Sequence, residues 1–396
     1  MRFSWDSVGI ASRLLLGVSV VVFGAASCET FSSGGGAAAD AGEADAGLED
    51  ARVDRTTFDA APTCASAAWV TDPQVAAVCN GVSSFLATDP NNCGRCGLSC
   101  GDAKSCVDGH CPLVEEKVAV ERLLVAGKDR IFYTPTAASK SLYVKVEGDP
   151  DPKLVESYNS APLAAALLEQ NLYVRTGNEV SFVNSQTPAG SAVAATSPSG
   201  SSPAPIAATR SAIYTTNASP REVWQYALDL KTYNIVARPD VIEVATNGTD
   251  AFLLENTTAG SLISKVPSGS VAGGLGAAHA LKAGSDGYLY FAEGNRIGRV
   301  RTSGGPVETF HQAQFPIVSY IFPEASLAVD GTNAYWLEQI DTSPAWAVRM
   351  KPLCDPSGPA LTLAARVGNL KGLMVTNDRI YWVHDTAQLA SMAKAR

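Results

Sequence analysis

Apolar and polar residues alternate in short blocks along most of the chain. From about residue 115 onward one unit returns: a short apolar run, a polar turn that often holds Asp, and a second run centred on an aromatic residue. Short runs bounded by turn residues are typical of β-strands rather than helices. Runs such as "YLYF" and "IYW" are apolar on both faces. This pattern indicates sheets that are covered by other sheets on each side.

The unit repeats at a nearly constant interval. The central aromatic residues are spaced by 38 to 46 residues, about 41 on average, and they are Tyr133, Tyr173, Tyr214, Phe252, Tyr290, Tyr335 and Tyr381. A period of about 40 to 45 residues with several short strands per unit is typical of a β-propeller blade. Seven repeats therefore predict an all-β, seven-bladed β-propeller over residues 113–396. A β-sandwich or a parallel β-helix is the alternative.

The two ends of the repeat array complement each other. The last repeat stops after its third strand, "QLASMAKAR", whereas a spare strand, "KVAVER" (Lys117 to Arg122), precedes the first repeat. We expect this spare strand to become the outermost strand of the last blade and to close the ring, because closure removes an exposed sheet edge.

Two repeats have the most distinctive sequences, "LAVDGTNAYWLEQ" and "LMVTNDRIYWVHD". They resemble the YWTD and NHL-type propeller repeats, and the resemblance covers about 280 residues. The sequence departs from YWTD after Trp336 and Trp382, where Leu-Glu and Val-His replace Thr-Asp. The resemblance implies a propeller fold but no particular ligand.

Seven of the nine cysteines lie within residues 61–112; Cys28 precedes this segment and Cys354 follows it. In an exported protein such density predicts disulfides, since a segment this short cannot stabilise itself by core burial alone. The expected disulfide cysteines are Cys64, Cys79, Cys93, Cys96, Cys100, Cys106, Cys111 and Cys354. Their even number permits four bridges, and we expect Cys354 to pair with one of the others. A zinc site is the alternative, because Cys93 and Cys96 have ligand-like spacing and His110 precedes Cys111.

The run "NNCGRCGLSCGDAKSCVDGHC" resembles a small Cys-rich module (NCGxCGxxC) of bacterial surface lipoproteins. The resemblance implies a structural spacer ahead of the propeller, not an activity.

The N-terminus has the layout of a secretory signal peptide over residues 1–27. Arg2 and Arg13 precede an apolar run from Leu14 to Phe23, and this run is shorter than the roughly 20 residues that span a bilayer. Small residues then precede Cys28, which resembles the lipobox of bacterial lipoproteins. The resemblance implies lipidation of Cys28, and Glu29 in place of Asp after it implies the outer membrane. Ordinary cleavage near Ser27, giving a secreted protein, and a retained membrane anchor are the alternatives.

Residues 28–60 are rich in Gly, Ala and acidic residues. Such a segment buries too little apolar surface to fold, so we expect a disordered acidic tether. It carries most of the formal net charge of −9. The rest of the chain lacks a basic face, which argues against nucleic-acid partners.

Motifs for chemistry are missing from the sequence. It contains no HExxH, no nucleophile elbow and no phosphate-binding glycine loop, so we expect no metal, no cofactor and no enzymatic activity. The recurring Asp of the turns is explained by local backbone hydrogen bonding. Two long segments flank the sixth repeat, and loops of this kind emerge on one propeller face. They define a candidate binding rim of His311, Phe315, Tyr320, Phe322, Asp341 and Trp346, unless these side chains merely pack the loops.

Together these features predict an exported, lipid-anchored monomer whose propeller binds or scaffolds an envelope protein or glycan. The first alternative is an extracellular hydrolase or lyase that acts on a polysaccharide, with a carboxylate pair such as Glu338 and Asp341. A purely structural assembly factor is the second.

Overall fold

The computed structural model describes residues 76–79, 82–86, 88–93, 100, 105–106, 113–177, 179–184, 193–196, 205–218, 221–238, 240–267, 269–317, 326–340, 345–365, 370–384 and 386–394. The predicted signal peptide, Cys28 and the acidic tether lie outside these residues. In the part of the chain that is described, no helix has the length and apolar character needed to cross a membrane.

The described residues form antiparallel strands. A hairpin comes first, made of β1 (Ala76–Cys79) and β2 (Val82–Phe85). It is followed by β3 (Val114–Ala126), β4 (Arg130–Pro135), β5 (Ser141–Val146) and β6 (Lys153–Ser157), with a short 3-10 turn at Thr136–Ala138 after β4.

Five four-stranded sheets then follow in chain order. The first contains β7 (Ala164–Leu168), β8 (Asn171–Arg175), β9 (Glu179–Asn184) and β10 (Val193–Thr196). The second contains β11 (Ile206–Ala208), β12 (Ile213–Ala218), β13 (Arg221–Tyr226) and β14 (Tyr233–Ala237). The third contains β15 (Val241–Thr246), β16 (Ala251–Thr257), β17 (Gly260–Lys265) and β18 (Ser270–Leu275).

The fourth sheet contains β19 (Ala278–Ala283), β20 (Tyr288–Glu293), β21 (Arg296–Arg301) and β22 (Glu308–Gln312). The fifth contains β23 (Leu327–Val329), β24 (Asn333–Gln339), β25 (Trp346–Pro352) and β26 (Leu361–Ala365). The chain ends with β27 (Leu370–Val375), β28 (Arg379–His384) and β29 (Gln388–Ala393).

The prediction of a seven-bladed propeller is wrong in its blade count. Five separate four-stranded blades are found among the described residues, and the strands at both ends join in one seven-stranded sheet of order β27-β28-β29-β3-β4-β5-β6. The physical reason is the length of β3. Its first half pairs with β29, where Ala119 lies opposite Gln388, and its second half pairs with β4, where Ala126 lies opposite Ile131. Strand β3 therefore continues the C-terminal strands β27 to β29 and also begins the sheet of β4 to β6.

The aromatic residues that define the repeat occupy equivalent places. Each lies on the second strand of its unit, in β4, β8, β12, β16, β20, β24 or β28, and each is buried. On two of these strands the Tyr hydroxyl donates a hydrogen bond to the Asp of the preceding turn. The distances are 2.6 Å from Tyr290 Oη to Asp286 Oδ2 and 2.9 Å from Tyr335 Oη to Asp330 Oδ2. These turn carboxylates thus have a structural role.

The cysteine-rich segment packs against the C-terminal sheets. Cys93 and Cys106 form a disulfide, and with Cys100 they belong to the buried cluster that holds Leu337 and Trp382. Cys79, Cys100 and Cys354 are disulfide-bonded too. Every other cysteine of the sequence precedes Leu113, so the bond of Cys354 ties the turn after β25 to the N-terminal part of the chain. Cys64, Cys96 and Cys111 lie outside the described residues.

Candidate binding site

The predicted rim residues take different positions. His311 lies on β22 and is half-buried, and Phe315 lies in the connection after it, also half-buried. Trp346, at the start of β25, is only 4% exposed and therefore packs in the interior. Tyr320, Phe322 and Asp341 lie outside the described residues. Of the predicted set, His311 is the residue that the structure brings into a polar cluster.

That polar cluster is centred on the carboxylate of Glu338. The Trp336 indole donates a hydrogen bond to Glu338 Oε2 at 3.0 Å, and His311 Nε2 lies 3.1 Å from the same oxygen. The Arg349 guanidinium donates to Glu338 Oε1 at 3.4 Å. The rings of His311 and Trp336 also contact each other, with centroids 4.7 Å apart. We call these four residues the Glu338 cluster.

The strand pattern explains how this cluster forms. Side chains two residues apart point to the same face of a strand, so Trp336 and Glu338 share one face of β24. Arg349 on β25 is the direct cross-strand neighbour of Trp336 and the diagonal neighbour of Glu338. His311 comes from the preceding sheet. The cluster therefore links two neighbouring blades through side chains.

Glu338 is a fixed anion. Burial would raise its pKa, but the hydrogen bonds from His311 and Trp336 and the charge of Arg349 outweigh burial and hold the pKa of Glu338 below its usual value. Its side chain is nearly inaccessible, with 6% of its surface exposed. A carboxylate in this state accepts hydrogen bonds but does not hold a proton near neutral pH.

A cleft of about 580 Å³ includes Ile317 in its lining, and Ile317 forms an isolated β-bridge with Glu338 of the cluster. It is formed by the segment that enters β19, the turn between β20 and β21, and the connection that leaves β22; its polar lining includes His279, Glu293, Asn295 and Arg296. The backbone holds these segments together, since the amide of Ile317 donates to the Gly294 carbonyl at 2.9 Å and that of Ala313 donates to the Asn295 carbonyl at 2.8 Å. Gln339 donates likewise to the Pro316 carbonyl. We call this feature the upper cleft.

One wall of the upper cleft is an ion pair with a backbone anchor. Arg296 Nε donates to Glu293 Oε2 at 3.0 Å, and the Gly276 amide donates to the other carboxylate oxygen. A Cβ at position 276 would lie 2.6 Å from Glu293 Oε1, so a larger residue there would displace the Glu293 carboxylate. Arg296 keeps 31% of its side-chain surface exposed, which leaves part of its guanidinium open to a ligand.

His279 also lines the upper cleft. Burial lowers the pKa of His279 below its ordinary value, although the Glu243 charge and the carbonyl groups of Ala277 and Ile317 oppose this shift. The imidazole is therefore neutral near pH 7. Its Nε2 atom is buried without a hydrogen-bond partner among the described residues. A buried polar atom of this kind is uncommon. Because it is inaccessible from outside, a ligand in the cleft would contact it only after the imidazole has moved.

Sequence reasoning missed His279, Glu293 and Arg296. No local motif marks them, because they come from three separate segments that meet only through the antiparallel pairing of β19, β20 and β21. The one available signal was the turn "GN" between two apolar runs, which predicts a tight hairpin at Gly294 and Asn295.

The arrangement of its sheets defines the chain as a β-propeller protein. No family model matches the sequence, and no curated protein matches it. Among solved structures, a catalytically inactive virginiamycin B lyase from Staphylococcus aureus with quinupristin is similar, with a TM-score of 0.52 and 13% identity over 72% of this chain and 99% of that chain. Hydrazine synthase from Kuenenia stuttgartiensis is similar at a TM-score of 0.52 and 11% identity, covering 71% of this chain and 97% of that chain. These likenesses establish the β-propeller fold alone, and the functions of the two proteins differ.

Proposed function

We propose that this protein is an exported, lipid-anchored binding module that recognises an envelope protein or a glycan through the upper cleft, without catalysing a reaction. The observation that carries this proposal is the state of two carboxylates, Glu338 of the Glu338 cluster and Glu293 of the upper cleft. Glu338 is held by three donors and Glu293 by Arg296 and the Gly276 amide. Neither group is placed as a free acid or base.

Cleavage of a glycosidic bond requires a carboxyl group in a different environment. It needs one carboxyl that remains protonated near neutral pH, which requires a raised pKa. The pKa of Glu338 is lowered instead. The alternative of a polysaccharide hydrolase or lyase that uses Glu338 with Asp341 therefore gains no support from the environment of Glu338, and Asp341 lies outside the described residues.

The chemistry of the upper cleft fits a polar ligand. Arg296 offers a partly exposed cation, His279 lines the cleft, and the turn at Gly294 adds backbone groups. Specific sites combine a few such convergent groups with a preformed concave surface. Sugar hydroxyls and peptide amides both supply donors and acceptors of the right kind. The signal peptide and the lipobox-like sequence before Cys28 support delivery of this site to the cell envelope.

The proposal is tested with the full chain in lipid nanodiscs, probed against a glycan panel and against envelope extracts. We expect at least one glycan or one envelope protein to bind. We also expect Arg296→Ala and His279→Ala each to weaken this binding about tenfold, the effect of losing one hydrogen bond to a charged or buried partner. Arg210→Ala, on an exposed residue of another sheet, is the matched control and leaves binding unchanged.

Two results would overturn the proposal. One is binding that survives both cleft substitutions. The other is that the wild-type protein releases new polysaccharide ends and Glu338→Gln abolishes this activity. That result would make Glu338 a catalytic residue.

A further inference from the structure

The last strands of the sheets form free edges. Among the described residues, the last strand of each four-stranded sheet has a neighbour on one side only, and so has β6 of the seven-stranded sheet. Alternate residues of such an edge direct an N–H and a C=O group away from the sheet, and these groups can pair with another chain. Proteins usually block free edges with bulges, charged side chains or proline.

Four of these six edges are protected in this way. A register shift interrupts the pairing of β6, β18, β22 and β26 with the neighbouring strand. Such irregularities bend a strand and increase its twist, which hinders the addition of a further strand. β6 also carries Lys153 and Glu156, and β22 carries Glu308.

Strand β14 lacks this protection. It pairs with β13 over five consecutive residues without a register shift, and its sequence, YNIVA, contains neither a charged residue nor proline. Its outward-directed amides and carbonyls have no partner in the part of the chain that is described. β10 is also regular, but it is one residue shorter and consists of Val, Ala and Thr. β14 is therefore the regular edge that also carries large apolar side chains.

Two of these side chains lie exposed on one face of β14. Tyr233 is 50% exposed and Ile235 is 48% exposed. The Tyr233 ring stacks on the Trp224 ring with centroids 4.6 Å apart, and Ile235 lies opposite Trp224 across the strand pair. The Trp224 indole donates a hydrogen bond to Glu222 Oε2 at 3.1 Å, which fixes the ring. A strand added at this edge would place its own side chains beside Tyr233 and Ile235.

Positive charges flank β14. Lys231 lies two residues before the strand and Arg238 follows it directly, and neither forms an ion pair with a described residue. Arg238 donates to the Pro267 carbonyl at 3.0 Å, and the Asp229 carboxylate accepts the backbone amide of Lys231 at 3.0 Å. A partner strand with an acidic residue near each end would therefore match the charges of Lys231 and Arg238.

A second copy of the chain fits this edge less well. If two β14 strands paired antiparallel about Asn234 and Ile235, Lys231 of one copy would lie opposite Arg238 of the other at both ends of the pair. Like charges that lie opposite each other destabilise a strand pair. The flanking charges therefore favour a different chain as the occupant.

We propose that β14 binds an extended peptide segment of a partner protein, which adds a fifth strand to this sheet. The segment carries β-branched or aromatic side chains between two acidic residues. Backbone hydrogen bonds provide affinity, and Tyr233 and Ile235 select the side chains on one face. β14 shares no residue with the upper cleft, so this inference goes beyond the proposed function.

The test uses the full chain in lipid nanodiscs and a panel of fluorescent seven-residue peptides that have Glu at both ends and Val, Ile, Thr or Tyr between them. We expect at least one peptide to bind saturably. N-methylation of one set of its alternate amides abolishes binding, whereas N-methylation of the other set does not, because only one edge of the peptide bonds to β14. Replacement of both Glu residues by Lys weakens binding.

Variants of the protein locate the binding surface. Ile235→Lys weakens peptide binding about tenfold or more, because it removes an apolar contact and adds a charge to the edge, whereas Ile235→Val retains binding. Leu154→Lys is the matched control and leaves binding unchanged, since Leu154 is 50% exposed on the outermost strand of another sheet. Arg296→Ala in the upper cleft also leaves peptide binding unchanged, which separates this surface from the proposed function.

Four results would overturn the inference. They are the absence of saturable binding by any peptide of the panel, binding that neither set of N-methyl groups reduces, and equal losses of affinity from Ile235→Lys and Leu154→Lys. The fourth is co-purification of two differently tagged copies of the chain that Ile235→Lys prevents, because that result would make a second copy the occupant of β14.

Discussion

His311 Nε2 lies 3.1 Å from Glu338 Oε2, and this contact joins side chains of two neighbouring blades. The same carboxylate is held from its own blade by Trp336 and Arg349. A buried carboxylate with donors on all sides stabilises the folded protein only while it is ionised, which makes its contribution dependent on pH.

The first prediction concerns acid stability. Because the pKa of Glu338 is lower in the folded protein than in the unfolded chain, its contribution is fully present above the unfolded value of about 4.3 and is lost as the pH falls through the folded value. Glu338→Gln lowers the free energy of unfolding near neutral pH by about 1–3 kcal/mol and reduces the further loss seen on acidification. Urea titrations between about pH 3 and about pH 7 measure both effects. Glu308→Gln, in a pair whose carboxylate is 41% exposed, serves as the control, and an equal response of the two variants would refute the role given to Glu338.

The second prediction concerns the strand that joins the two ends of the chain. Val120 is completely buried and packs in one cluster with Tyr381 and Leu389 from the C-terminal strands. Val120→Ala removes two methylene equivalents and leaves a void, so it lowers the free energy of unfolding by about 2 kcal/mol. Leu154→Ala in the same sheet starts from a side chain that is 50% exposed and costs under about 0.5 kcal/mol. If chemical unfolding gives similar values for both variants, β3 does not close the sheet as described.

The third prediction concerns the Asp–Tyr hydrogen bond that recurs between the turn and the second strand. Tyr335→Phe removes the bond to Asp330, which also pairs at 2.6 Å with Lys394, the residue that follows the last strand. Thermal and urea unfolding should show a loss of about 1–2 kcal/mol. Tyr288→Phe keeps the ring that lies beneath Arg299 and Arg301 and should change stability little, so a larger effect there than at Tyr335 would contradict the structural role of the turn.

The fourth prediction concerns the disulfides. Replacing Cys93 and Cys106 together by Ser opens a loop of 13 residues and lowers the free energy of unfolding by about 3 kcal/mol. Peptide mapping without reduction should recover Cys354 linked to a peptide that precedes Leu113. Alkylation of Cys354 in the unreduced protein is the outcome that this assignment does not permit.

The fifth prediction concerns lipid attachment. Cys28→Ser abolishes incorporation of labelled palmitate in the producing bacterium, because the thiol is the acceptor in a lipobox. Cys354→Ser retains the label and controls for general effects of cysteine loss. Retention of the label by Cys28→Ser would show that the N-terminus is processed in another way.

The repeat could be recognised in the sequence because each unit buries an aromatic residue of its second strand in the same way. Tyr173, Tyr290 and Tyr381 each occupy the buried second strand that the spacing of about 41 residues predicts. Local chemistry fixes such positions: an aromatic strand, an Asp turn and the apolar strand before it form one unit whatever lies around it. The all-β propeller architecture followed from this regularity.

The number of separate blades could not be predicted from the repeats, because it depends on how far strand β3 extends. The pairing of β3 with the last strand, β29, was expected from the spare strand and is found. Nothing in the composition of β3 says that it runs over thirteen residues, Val114–Ala126, and continues into pairing with β4. The pairing of β3 with β4 is local, whereas its pairing with β29 joins residues more than two hundred positions apart in the sequence. Sequence periodicity reports local units, whereas the merging of sheets is a property of the closed structure.

By itself, then, the sequence determined the strand units, their interval and the buried aromatic of each, since these depend on contacts within about forty residues. Only the tertiary structure decided that His311 meets Glu338 and that His279 and Arg296 line one cleft. The physical reason is that each of these sites combines side chains from separate strands that only folding brings together. No single stretch of sequence therefore identifies them.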